Sequence, residues 1–137
     1  MITVSAIVAA PPAHVWKCWT SAEDVMKWNF ASDDWHCPAA KSDLRVGGEF
    51  AYRMAARDGS AEFDFEGVYS AVDYLKRIEF SMSDGRKVIV QFEPQGKATR
   101  VTESFDPGSG HSEELQRQGW QAILDNFRKH AEGSFTG

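Results

Sequence analysis

Between Leu44 and Phe105 the apolar residues recur at every second position, in short runs separated by turn sequences. Period two is the spacing of side chains on one face of a strand, so this stretch must form extended segments with one buried side. Leu44, Val46, Phe50, Tyr52 and Met54 share one parity, across a Gly47-Gly48 pair that permits a bend or bulge. Phe63, Phe65, Gly67 and Tyr69 share the next, opposite Glu62, Asp64 and Glu66. Ile78, Phe80 and Met82 follow, then Val88, Val90 and Phe92, then Val101, Glu103 and Phe105. Arg57-Asp58-Gly59-Ser60, Ser83-Asp84-Gly85 and Pro94-Gln95-Gly96 cut the runs apart, which is the pattern of an antiparallel meander of about five or six strands.

The flanks carry different periods. Ile2, Val4, Ala6 and Val8 alternate as one more strand, which Pro11-Pro12 ends, since proline cannot donate to a ladder and suits a helix's first turn. A short helix is predicted to about Thr20, burying Val15, Trp16 and Trp19. Ser21 is placed as the N-cap of a second short helix reaching about Trp28, with Glu23 and Asp24 in its first turn. Residues 29–42 show no period and read as a loop. After Asp106-Pro107-Gly108-Ser109-Gly110, Ser112 with Glu113 and Glu114 opens a long helix. Leu115, Gly119, Ala122, Ile123, Asn126, Phe127 and His130 form its stripe, widened by Trp120 and Leu124. The expected architecture is α+β: a curved antiparallel sheet wrapped around a long C-terminal helix, with two short helices after the first strand. One domain is expected over residues 1–132, with residues 133–137 as a disordered tail.

Charge and motifs narrow the function classes. With 15 Lys+Arg against 20 Asp+Glu in 137 residues, the net charge of −5 argues against nucleic acid and anionic lipid as partners. No apolar run approaches the roughly 18 residues of a membrane span, so no membrane insertion is expected. Met1-Ile2-Thr3-Val4 has no basic, apolar leader, and two cysteines form no disulfide framework, so a cytoplasmic setting is expected. Motifs for nucleotides, flavins and zinc proteases are missing, and no cofactor is expected. Asp34, His36 and Cys37, with Cys18 as a distant fourth, lack the paired spacing of zinc ligands, so no metal site is assigned.

Several segments, in order along nearly the whole chain, resemble a known family. They are Ala10-Pro11-Pro12-Ala13-His14-Val15-Trp16 with Trp19-Thr20, Leu44-Arg45-Val46-Gly47-Gly48-Glu49-Phe50, and Phe65-Glu66-Gly67-Val68-Tyr69 followed by Arg77-Ile78-Glu79-Phe80. Thr99-Arg100-Val101-Thr102 and Gly119-Trp120 complete the set. The chain thereby resembles homologues of the heat-shock-protein-90 ATPase activator, within the START-like superfamily of helix-grip proteins. The resemblance implies a ligand-sized cavity under the long helix. Superfamily relatives bind lipids, plant hormones or polyketides, and a few catalyse cyclisation or hydrolysis. The 137 residues hold no counterpart of the eukaryotic co-chaperone's additional N-terminal domain, so a chaperone partner is the less favoured expectation.

The candidate ligand contacts follow from parity. Glu103 shares the apolar face of Val101 and Phe105, where an unpaired carboxyl is costly unless it meets a partner or cavity water. It is a candidate anchor for a ligand hydroxyl, or a general base, unless it sits near enough to the strand end to reach water. Tyr52 offers a hydroxyl on the inward face, and Asn126 a polar group on the helix stripe. Trp28, Phe65, Phe80, Met82, Phe92 and Phe127 suit an apolar pocket wall, although an ordinary core needs the same stripe. Gly119 in a helix interior costs about 1 kcal/mol relative to Ala, which close approach to the sheet or room for a ligand would explain. The leading expectation is a protein that binds a small hydrophobic or amphipathic molecule. The alternatives are a cyclase or hydrolase using Glu103 as acid/base and a stress-linked co-chaperone. Self-association to a homodimer is left open.

Overall fold

The computed structural model describes residues 1–136. Alternation at the N-terminus yields β1 (Ile2–Val8), and the proline pair starts α1 (Pro12–Thr20), which runs on into α2 (Ala22–Trp28). The meander comprises β2 (Trp35–Ser42), β3 (Glu49–Ala56), β4 (Glu62–Asp73), β5 (Arg77–Met82), β6 (Lys87–Gln95) and β7 (Ala98–Phe105), and α3 (Glu113–Ser134) closes the fold. All neighbours pair antiparallel in one seven-stranded sheet of order β1-β7-β6-β5-β4-β3-β2, curled into a half-barrel. β1 and β2 therefore lie at opposite edges, and the α1–α2 connection must bridge them. α3 packs on β1 and against both short helices, while α2 packs on β2.

Inward parity holds through most of the sheet. Val8, Val88, Val90, Val101 and Phe105 are fully buried, as are Val15 and Cys18 of α1 and Leu124, Phe127 and Ala131 of α3. Ser112 caps α3 as expected, its hydroxyl accepting a bond from the Leu115 amide at 3.1 Å. Ser21 occupies the cap position of α2 but makes no side-chain capping bond.

Three local expectations are corrected. Residues 29–42 are not all loop, because β2 pairs with β3 along the sheet edge. Its register slips between His36 and Ala39, around Pro38, and the bulge destroys the alternation that would have marked a strand. The alternation of Leu44 and Val46 with Phe50 is not strand pairing: the two residues lie between β2 and β3, and Val46 is 63% exposed. α3 runs past residue 132 to Ser134, and Phe135 beyond it packs on the His14 ring at 5.2 Å. Gly137, the last residue of the expected tail, lies outside the described residues.

Candidate functional site

Between α3 and strands β3, β4 and β5 the inward side chains do not fill the space. They leave a cavity of about 270 Å³ walled mainly by aromatic rings. Part of its wall is Phe50, which pairs with Gly67 across β3 and β4. A methyl group at 67 would stand 2.6 Å from the Phe50 ring, so only glycine lets that ring lie over the strand. Phe50 then meets Phe80 edge-on at 4.8 Å and Tyr69 at 5.2 Å. The roof is Trp120 of α3, stacked on Phe105 at 3.9 Å with its edge toward Phe65 at 6.3 Å. Trp19 and Trp28, 4.9 Å apart, close one end. Phe63, 53% exposed and 5.9 Å from the Trp35 ring, lines the cavity from the surface side.

Glu103 is the polar exception among these walls. It sits in β7 between Val4 of β1 and Val90 of β6, with only 7% of its surface exposed. Burial alone pushes its carboxyl up to about 8, and among the described residues no hydrogen bond or nearby charge offsets the cost. At neutral pH the group is a neutral acid, able to donate one hydrogen bond and accept another into the cavity. Arg86 also borders the cavity, but its Nε donates to Asp84 Oδ2 at 2.7 Å. At the β2–β4 end, Ser42 Oγ and Tyr69 Oη lie 2.7 Å apart. Tyr52 joins them, its phenol raised by burial and by the neighbouring Tyr69.

Trp28, Tyr52, Phe65, Phe80 and Glu103 thus lie together on the cavity wall. The other candidates are placed elsewhere. Phe127 is fully buried one layer deeper, 4.9 Å from both Trp19 and Trp28. Phe92 packs on Trp16 at 5.2 Å and Trp19 at 6.0 Å. Met82 borders a second, open groove over β2 to β5, where Lys41, Arg53, Asp64 and Glu66 supply a charged lining. Asn126 is engaged structurally, its Nδ2 donating to the carbonyls of Trp28 at 2.8 Å and Phe30 at 3.4 Å beyond the end of α2. A Cβ at Gly119 would have no atom within 4 Å, so close approach to the sheet does not explain that glycine.

Among the cavity residues not singled out from sequence, Phe50 and Met54 share Tyr52's parity, and Ile78 shares that of Phe80. That signal was present. Arg86 follows a turn and carried none. Asp34, His36 and Cys37 do not form a group of three metal ligands among the described residues.

Comparison with known proteins follows the same outline. Residues 9–132 match the family model described as Activator of Hsp90 ATPase homolog 1-like protein. An AHSA1-like protein of Aeromonas hydrophila, solved by NMR, is 41% identical, with a TM-score of 0.89 over 97% of this chain and 94% of that one. A protein of Cytophaga hutchinsonii is 48% identical, with a TM-score of 0.83 over 96% of this chain and 92% of that one. A Nitrosomonas europaea protein shares the fold at 20% identity, with a TM-score of 0.82 over 96% of this chain and 94% of that one. No curated protein matches the sequence.

Proposed function

The chain belongs to the Activator of Hsp90 ATPase homolog 1-like family, and from that premise we propose that it binds a small hydrophobic or amphipathic molecule between the sheet and α3. The observation that carries the reading is Glu103, an unpartnered carboxyl among the aromatic walls of a cavity. A buried polar group without a partner is costly, and a ligand hydroxyl or carbonyl would relieve that cost. The volume of about 270 Å³ falls just below the roughly 300–1,000 Å³ of drug-sized pockets, so the ligand is a one- or two-ring molecule. Phe50, Phe65, Phe80 and Trp120 supply apolar contact, and Glu103 fixes orientation. The proposal includes a cytoplasmic setting, in keeping with two cysteines that are both free. No helix among the described residues is long and apolar enough to cross a membrane.

A catalytic role is the second reading, favoured by the raised Glu103 carboxyl. With its pKa near 8 the group is about nine-tenths protonated at pH 7, which suits a general acid or a hydrogen-bond donor better than a base. Among the described residues no second titratable side chain meets it, which favours binding as the simpler function. A thermal-shift panel of one- and two-ring phenols, ketones and carboxylic acids tests the proposal. It requires a stabilising compound whose effect is lost in Glu103→Ala and Phe65→Ala. A panel without effect, or stabilisation untouched by both changes, refutes it.

A further inference from the structure

Beside Trp28, three helices bring together side chains that are distant in sequence. Cys18 on α1, Asp24 on α2 and His130 on α3 each offer one ligand atom, all within 4.8 Å of one another. His130 Nε2 donates to Asp24 Oδ1 at 2.8 Å, and Lys17 Nζ lies 3.2 Å from Asp24 Oδ2. His14, one turn before Cys18, donates from Nε2 to the Ala131 carbonyl at 2.9 Å and stands 3.4 Å from Cys18 Sγ. Cys18 and Asp24 are buried, and His130 is nearly so.

We propose that Cys18, Asp24 and His130 form a binding site for a transition-metal dication of the zinc class, at the seam of the three helices. The donor set is one soft thiol, one imidazole and one carboxylate, a mixture that suits zinc and its neighbours and not magnesium or calcium. Zinc bonds of about 2.0–2.3 Å to such ligands place tetrahedral donor atoms roughly 3.3–3.6 Å apart. The observed cluster reaches that spacing with side-chain shifts of about an ångström.

Charge supports the same reading. Without metal an ordinary thiol holds its proton at neutral pH. Coordination releases that proton, and neutral His130 moves its own proton from Nε2 to Nδ1 so that Nε2 can turn from Asp24 to the metal. The thiolate and the Asp24 carboxylate then neutralise a dication, so the buried centre carries no net charge. The His14 N–H is placed to turn toward the new thiolate, as outer partners commonly do. Lys17, whose side chain is largely exposed, gives up Asp24 by swinging into water. The Cys18 carbonyl accepts from Trp28 Nε1 at 2.9 Å, so metal on the Cys18 side chain would also stiffen one cavity wall.

Cobalt(II) titration of the reduced, metal-stripped protein tests this directly, because a cobalt–thiolate bond gives a charge-transfer band absent from oxygen and nitrogen sites. One equivalent should produce the band, and zinc(II) should displace it. Cys18→Ser should abolish it, and His130→Ala and Asp24→Asn should weaken binding at least about tenfold. Cys37→Ser should leave it intact; only two cysteines are present, so a band in that variant assigns the thiolate to Cys18 even if Cys18→Ser fails to fold. Zinc at about a hundredfold excess over its dissociation constant should raise the melting midpoint by roughly 5–10 °C. Absence of the band at millimolar cobalt, or its loss in Cys37→Ser with retention in Cys18→Ser, overturns the site and leaves a helix-fastening ion pair.

Discussion

Replacing Glu103 by Gln tests directly whether the cavity carboxyl stays neutral in the folded chain. Glutamine keeps the shape and removes the titration. In the unfolded chain the carboxyl titrates near 4.5, whereas in the fold it titrates near 8. Below pH 4.5 both states hold the proton and the group contributes nothing to pH dependence. Between the two values the unfolded chain has lost its proton and the folded chain has kept it, so stability falls as pH rises. The slope is about 1.4 kcal/mol per pH unit, which accumulates to about 3 kcal/mol by pH 7 and about 5 kcal/mol once pH passes 8.

Urea unfolding of the wild type and Glu103→Gln at half-unit intervals from pH 4.5 to 9 measures this. Taking the difference between the two curves cancels every other titrating group. The variant should match the wild type, within the roughly 1–3 kcal/mol set by an unpaired buried amide, at the acid end. It should then gain steadily on the wild type and level off above pH 8. A flat difference would mean that Glu103 reaches water in the folded chain, and the anchoring role proposed for it would fall with that result. A bound ligand that accepts from the neutral carboxyl should delay the rise to higher pH, since it binds only the protonated form.

Three further changes probe the frame around the cavity. Gly119→Ala should stabilise the chain by about 0.5–1 kcal/mol in thermal or urea unfolding, because the added methyl meets no atom and the helix interior gains propensity. Phe127→Ala should cost about 3–5 kcal/mol by removing the ring beneath Trp19 and Trp28, seen as a lower urea midpoint. Asp24→Asn should destabilise most at neutral pH: burial raises the carboxyl, but hydrogen bonds from His130 and Lys17 outweigh it and hold it below its usual value. Stability from Asp24 is therefore present above the unfolded carboxylate range and lost as pH falls through the folded value, so wild type and variant should converge in acid.

Most of the architecture was legible because burial here is one-sided. Strands β3 to β7 alternate and α3 repeats at helical period, and each pattern needs the other to cover it. β2 escaped because a bulge around Pro38 breaks its parity at a sheet edge, where pairing on one side suffices. The polar contacts escaped for a different reason. Asn126 and His130 lie on the helix stripe predicted to meet the cavity, yet the backbone of residues 28–30 and the Asp24 carboxylate reach them first. Helical period says which face a residue presents; it says nothing of which neighbour across the seam satisfies it.

The same limit separates wall from core among the aromatic residues. Phe80 and Phe92 carry identical inward signals in adjacent strands, and both are almost fully buried. What differs is the layer opposite. α1 lays Trp16 and Trp19 directly on Phe92, filling the space. Phe80 meets rings of its own sheet, Phe50, Phe65 and Tyr69, and borders the cavity that separates it from α3. A cavity is thus a property of the distance between layers, which depends on sheet curvature and on small residues such as Gly67 that let one ring lie flat. Glu103 stood out in the sequence for the converse reason: a charged residue on an apolar parity conflicts with its own strand wherever the opposite layer stands, but parity alone does not separate a carboxyl that faces a cavity from one that reaches water at a strand end.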